Sequence, residues 1–123
     1  MAAPNIAALT IITGISTFVG LTTTNSVSFL SNASGSNKVL KVNTILAANT
    51  SAITQSVSVK IFNLAAGAGS SVSIASSISV PTASTVVVLG KDTPIYLQEN
   101  QSLAALAGYT NAVDIVCSYE EIS

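Results

Sequence analysis

The sequence predicts an all-β protein: one single-domain antiparallel β-sandwich, jelly-roll or immunoglobulin-like, of about eight strands. Three observations lead there. Apolar residues alternate with polar ones at a period of two in run after run, which places them on one face of a strand rather than along one stripe of a helix. Clusters of Gly, Pro, Asn, Asp and Ser punctuate these runs at short intervals, as turns between strands require. The composition agrees, because 49% of the residues are hydrophobic but only 5% are aromatic, leaving Val, Ile, Leu and Ala interleaved with Ser and Thr. Such residues fill thin, pleated layers. At 123 residues the chain has the size of one domain with one core.

Residues 1–8 read as an N-terminal arm and residues 9–123 as the sandwich domain. From Leu9 to Leu21, β-branched residues interrupted by Gly14 and Gly20 predict an interrupted or bulged strand. A short alternating run, Ser26 to Phe29, precedes the loop Ser31 to Asn37. Lys38 to Ala48 predicts a long, central strand with Leu40, Val42, Thr44, Leu46 and Ala48 on one face, and Val39, Lys41, Asn43 and Ile45 on the other. Ala52 to Asn63 repeats the pattern with Val57, Val59 and Ile61 on one side, and a Gly-containing turn, Ala65 to Ser70, joins it to Val72 to Val80 as a hairpin. Pro81 ends that strand because it has no N–H for a ladder. Thr85 to Leu89 and Ile95 to Leu97 are short strands separated by the turn Gly90 to Pro94. A final hairpin is expected from Leu103 to Ala107 and Ala112 to Ile122, around a loop at Gly108 to Asn111, although Ser102 to Gly108 also suits a helical turn.

Charge is scarce. Four lysines, no arginine and five carboxylates make up 7% of the chain, against roughly a quarter in an ordinary soluble domain. That balance cannot neutralise a phosphate backbone, so no nucleic-acid partner is expected. Apolar runs of about four residues, such as Val86 to Leu89, fall far short of the roughly twenty a spanning helix needs, so no membrane association is expected. The first residues lack the positive region of a signal peptide and imply synthesis in the cytoplasm. A weakly charged surface of Ser, Thr, Asn and Ala methyls suggests cover by copies of the chain or by a partner.

No catalytic, cofactor-binding or metal-ligating residue is predicted. Without histidine or arginine there is no Ser-His-Asp or Cys-His system, no imidazole metal site and no guanidinium clamp. Glu120 and Glu121 point to opposite faces of a strand, so they do not make a glycosidase-like pair. The glycines of Ala65 to Ser70 lack the Lys-Ser/Thr of a phosphate loop. Cys117, the one cysteine, falls in an alternating run with Val113, Ile115 and Tyr119 and reads as a buried hydrophobe. Asn32-Ala33-Ser34 and Asn49-Thr50-Ser51 match the glycosylation pattern as chance in a chain rich in these residues predicts. Tyr109 lies in a loop, where it reads as a packing plug rather than a sugar platform. The expectation is therefore a non-enzyme with no cofactor and no small-molecule substrate.

Three passages carry a resemblance: Ile78-Ser79-Val80-Pro81 followed by Thr85 to Leu89; Pro94 to Leu103; and the ending Val113 to Ser123 with Ser118-Tyr119-Glu120-Glu121-Ile122. Together they resemble a family of small virion structural proteins of tailed bacteriophages, especially phages of marine cyanobacteria. The resemblance covers roughly Lys38 to Ser123 and includes no catalytic signature. It implies a particle component located in the virion and made in the host cytoplasm. A capsid decoration (cement) protein is the first expectation, a homo-oligomer, by preference a trimer, bound to a larger virion protein such as the major capsid protein. A neck, collar or tail component is the alternative, and a free-standing glycan- or receptor-binding sandwich is a third reading from a different class.

Overall fold

The computed structural model describes residues 11–123, so the arm expected at residues 1–8 lies outside the described residues. Nine strands follow in order: β1 (Ile12–Leu21), β2 (Val27–Asn32), β3 (Val39–Asn49), β4 (Gln55–Phe62), β5 (Ser71–Val80), β6 (Thr85–Leu89), β7 (Ile95–Leu97), β8 (Gln101–Ala107) and β9 (Val113–Ile122). They build two antiparallel sheets. Sheet A has the order β1-β9-β3-β6 with β7 also on β3, and sheet B has the order β2-β8-β4-β5.

Strands β6 and β7 together form one edge. β6 pairs Ile45 to Ala48 of β3, and β7 pairs Leu40 to Val42 further along the same side. Counting β6 and β7 as one position leaves eight, in the orders one-eight-three-six and two-seven-four-five. That is jelly-roll order, with successive strands alternating between the sheets except at the β4–β5 hairpin. The immunoglobulin-like alternative is thereby excluded, since its sheets are built from a different strand set.

The core lies between the sheets. Val42, Ile45, Leu97, Ile115 and Cys117 from sheet A meet Val57, Val59, Val80 and Leu103 from sheet B, all without exposed surface. Each such Val or Leu side chain contributes about 1.5–3 kcal/mol by leaving water. Small residues, Ala47, Ala105 and Ala107, let the layers close, and Phe29 is buried in the same core.

Several sequence expectations require correction. β1 carries no bulge, because its register against β9 runs unbroken from Ile12↔Ile122 to Leu21↔Val113. In β3 the bulge at Asn43 inserts one residue and reverses the faces beyond it. Leu40 and Val42 therefore share the core face with Ile45 and Ala47, not with Thr44, Leu46 and Ala48. Ser102 to Ala107 is strand, not a helical turn, since β8 is paired on both sides by β2 and β4. Nor do β8 and β9 form a hairpin: the loop between them crosses from sheet B to sheet A.

Two buried asparagines hold the sheets together where the chain changes layer. Asn32, at the end of β2, donates from Nδ2 to the carbonyls of Lys38 (2.8 Å) and Leu97 (3.0 Å) and accepts at Oδ1 from the Ser36 hydroxyl, while its backbone carbonyl accepts from the Asn100 amide (2.8 Å). Asn49, at the end of β3, donates to the carbonyls of Ile53 (2.8 Å) and Val80 (3.0 Å) and accepts from the Ser51 amide (2.9 Å). These are the asparagines of the two glycosylation-like triplets, and both side chains are committed to the interior. Truncating either leaves buried carbonyls without donors. Asn32→Ala and Asn49→Ala are each expected to lose about 2–3 kcal/mol in urea unfolding, and a loss below about 0.5 kcal/mol would show that the clamps are dispensable.

Candidate interaction surface

Pairing registers define what each sheet presents outward. On sheet A, Phe18 lies opposite Val116, Val116 opposite Leu46, and Leu46 opposite Val87, so four apolar side chains from four strands form one row across the outer face. Phe18 is 80% exposed and Val87 60%. Neighbouring rows carry small or polar residues: Ser16, Ser118 and Thr44 on one side, and Gly20, Asp114, Ala48 and Thr85 on the other. A further row sets Gly14, Glu120, Lys41 and Tyr96 side by side, bringing opposite charges onto adjacent strands. The face is sparsely charged and apolar through its middle.

The outer face of sheet B differs in both chemistry and cover. It presents Ser56, Lys60 and Phe62 on β4, and Ser71, Ser73 and Ser79 on β5, while Ser58 is buried and accepts from the Ser77 amide (2.8 Å). The loop after β4 folds back over it. Ser102 Oγ donates to the Leu64 carbonyl (2.7 Å) and accepts from the Gly67 amide (2.8 Å), while Ser31 Oγ and Asn100 Oδ1 accept from the amides of Ala66 (2.9 Å) and Ala65 (3.1 Å). Gly69 permits the return, with φ at +81° and no room for a side chain beside Asn63 and Leu64. The amides of this glycine-rich loop are thus committed to the protein's own oxygens, the reverse of a phosphate cradle.

Residues weighed for chemistry are dispersed. Glu120 accepts from Asn43 Nδ2 (3.4 Å) on the outer face, while Glu121 pairs with Lys38 Nζ (2.8 Å) at the end of the sandwich. That ion pair is partly exposed and contributes at most about 1 kcal/mol. Among the described residues no three His, Cys, Asp or Glu side chains come together as a metal ion would need, and no helix is long and apolar enough to cross a membrane.

Tyr109 departs from expectation: it is 60% exposed and so does not plug the core. It lines an open depression with Thr24, Gly108 and Thr110, which offers one aromatic face and no charged group. A second depression, lined by Ile61, Phe62, Asn63, Ser70, Val72 and Gln101, is also without a charged or nucleophilic pair.

Two buried groups have measurable consequences. Cys117 is fully buried between Thr17 of β1 and Ile45 of β3, and burial pushes its thiol from near 9.0 up to about 12. Its native state keeps the proton where the unfolded state loses it, so stability should fall as pH rises from about 9 towards 12. The native thiol is expected to resist disulfide reagents at pH 8 and to react at once in denaturant; rapid native labelling would contradict this burial.

Both carboxylate oxygens of Glu99 are shielded from solvent and meet no donor among the described residues. Glu99→Gln removes an uncompensated charge and is expected to raise stability by about 1 kcal/mol, read as a higher melting temperature. An unchanged or lower melting temperature would mean that the carboxylate has found a partner.

No family model matches the chain, and no curated protein matches it either.

Proposed function

We propose that this protein is a non-catalytic structural component of a bacteriophage particle, most simply a decoration protein that seats on the head shell and stabilises it. The observation that carries the reading is the apolar row on the outer face of sheet A, with Phe18, Val116 and Val87 exposed and Leu46 half-buried among them. A face of this kind suits repeated attachment to a lattice, where many weak contacts add to strong retention. Jelly-roll sandwiches recur in viral shells, in keeping with the reading. Its partners in this reading are copies of itself and a larger shell protein, with no nucleic acid, membrane or small-molecule substrate.

Neck, collar or tail placement uses the same surface at a different symmetry. The free-standing glycan-binding reading draws support from one observation, the exposure of Tyr109. The two classes separate by mutation. Particle attachment should be lost in Leu46→Asp or Val87→Asp and kept in Tyr109→Ala, whereas a glycan module loses ligand binding in Tyr109→Ala alone.

The direct test mixes the purified chain with undecorated heads and pelleted tails, and images both by electron microscopy. Saturable density on the head lattice is expected. Binding confined to tail or neck moves the placement, and binding to neither overturns the particle reading.

A further inference from the structure

A sandwich of two open sheets has four edge strands, and an uncovered edge recruits other strands unless something blunts it. Three edges here are blunted. β2 is six residues long and bulged at Phe29. β5 has register shifts at two places and holds Ser77 at a positive φ of 48°, its amide tied to Ser58 Oγ (2.8 Å). β6 and β7 are split by the Gly90 to Pro94 turn, which carries Lys91 and Asp92.

β1 has none of these devices. It runs ten residues in unbroken register with β9 and contains no proline and no charge. Its hydrogen-bonding sense is fixed at one end, where Ile11 and Ser123 exchange both amide–carbonyl bonds at 2.9 Å. Alternate residues of an antiparallel strand bond to opposite sides, so odd-numbered positions face β9. The amides and carbonyls of Ile12, Gly14, Ser16, Phe18 and Gly20 therefore point away from the sheet, with no strand paired to them among the described residues.

We infer that β1 is a dimerisation edge, which pairs antiparallel with β1 of a second copy across a two-fold axis. Charge argues for the second copy as occupant. A self-paired strand brings the residues beside its two-fold axis close to their own copies, so a Lys or Glu there would meet a like charge, and β1 carries neither. Side-chain matching argues for the same occupant. With Ile15 on the axis, Ile12 lies opposite Phe18 of the second copy and Gly14 opposite Ser16, all of them outward-bonding positions. The two most exposed apolar residues of the strand then cover each other, Ile12 at 53% and Phe18 at 80% exposure. The apolar row of sheet A continues into the second molecule.

A closed three-fold ring, the order expected from the resemblance, would instead need β1 to meet a different edge of the next copy. Those edges are short, bulged or charged. The pairing goes beyond the particle reading and does not depend on it, because the edge would pair in the same way in any assembly.

The test uses the full chain. Light scattering should give twice the 12.4 kDa chain mass, and amide exchange by NMR should show protection at Gly14, Ser16 and Phe18 that disappears on dilution. Ser16→Pro removes only an outward-facing N–H, and Ser16→Lys places like charges near the axis; each should yield a folded monomer with an unchanged circular dichroism spectrum. A wild-type monomer or trimer overturns the inference, as does a dimer that survives both substitutions. If neither variant folds, the wild-type exchange pattern decides: unprotected even-numbered amides in the dimer place its interface elsewhere, and protection that never depends on concentration assigns the edge to another segment.

Discussion

Sheet A depends on β9. This strand, which follows all the others in the chain, lies between β1 and β3 and supplies Val113, Ile115 and Cys117 to the centre of the core. Until it docks, β1 has no partner and β3 has only the short, broken edge of β6 and β7. Almost every strand pairing joins distant parts of the chain, so closure entropy must be met before the core offsets it. The asparagine clamps matter in that setting. Asn32 ties the end of β2 to β7 and the approach to β3, and Asn49 ties the end of β3 to β5. Each fixes a corner at which a slip of one residue would turn an apolar face outward.

The sandwich is asymmetric in its surroundings. Sheet B is serine-rich outside and shielded by a loop whose amides are hydrogen-bonded down onto it. Sheet A carries the uncovered apolar row, and the unblunted strand edge belongs to the same sheet. Low charge has a specific meaning here. It leaves the outer face of sheet A, where Asp114, Glu120 and Lys41 are the charges, with little like-charge repulsion to hold another surface off, at the cost of weak protection against nonspecific association. Face and edge together place two contact surfaces on one side of the molecule.

Much of the fold was legible in the sequence because a two-residue period survives wherever a strand is regular. β4 shows this, with Val57, Val59 and Ile61 turned inward as the alternation predicts, and so does β9 up to Cys117. Legibility failed where backbone irregularity resets the period. One extra residue at Asn43 turned Ile45 and Ala47 inward and Leu46 outward, and nothing in a Val-Asn-Thr-Ile sequence announces a bulge. Conversely, Gly14 and Gly20 suggested a bulge where β1 has none. The Leu103 to Leu106 stretch has helical propensity, but β8 is a strand because two neighbours bond to it. Sheet order, and hence the apolar row assembled from four strands, is a property of pairing that no single run reveals. The exposure of Tyr109 is not legible in the sequence, because a loop aromatic does not declare whether the core has room for it.

The apolar row and the open edge together propose association through the sheet A side. Hydroxyl-radical footprinting read by mass spectrometry, on dilute and on assembled protein, tests it most directly. Protection on assembly should appear at Phe18, Leu46, Val87 and Val116, with Val72 of β5 modified equally in both states. Protection at Val72 with Phe18 and Val87 still freely modified would place the contact on sheet B and contradict the account.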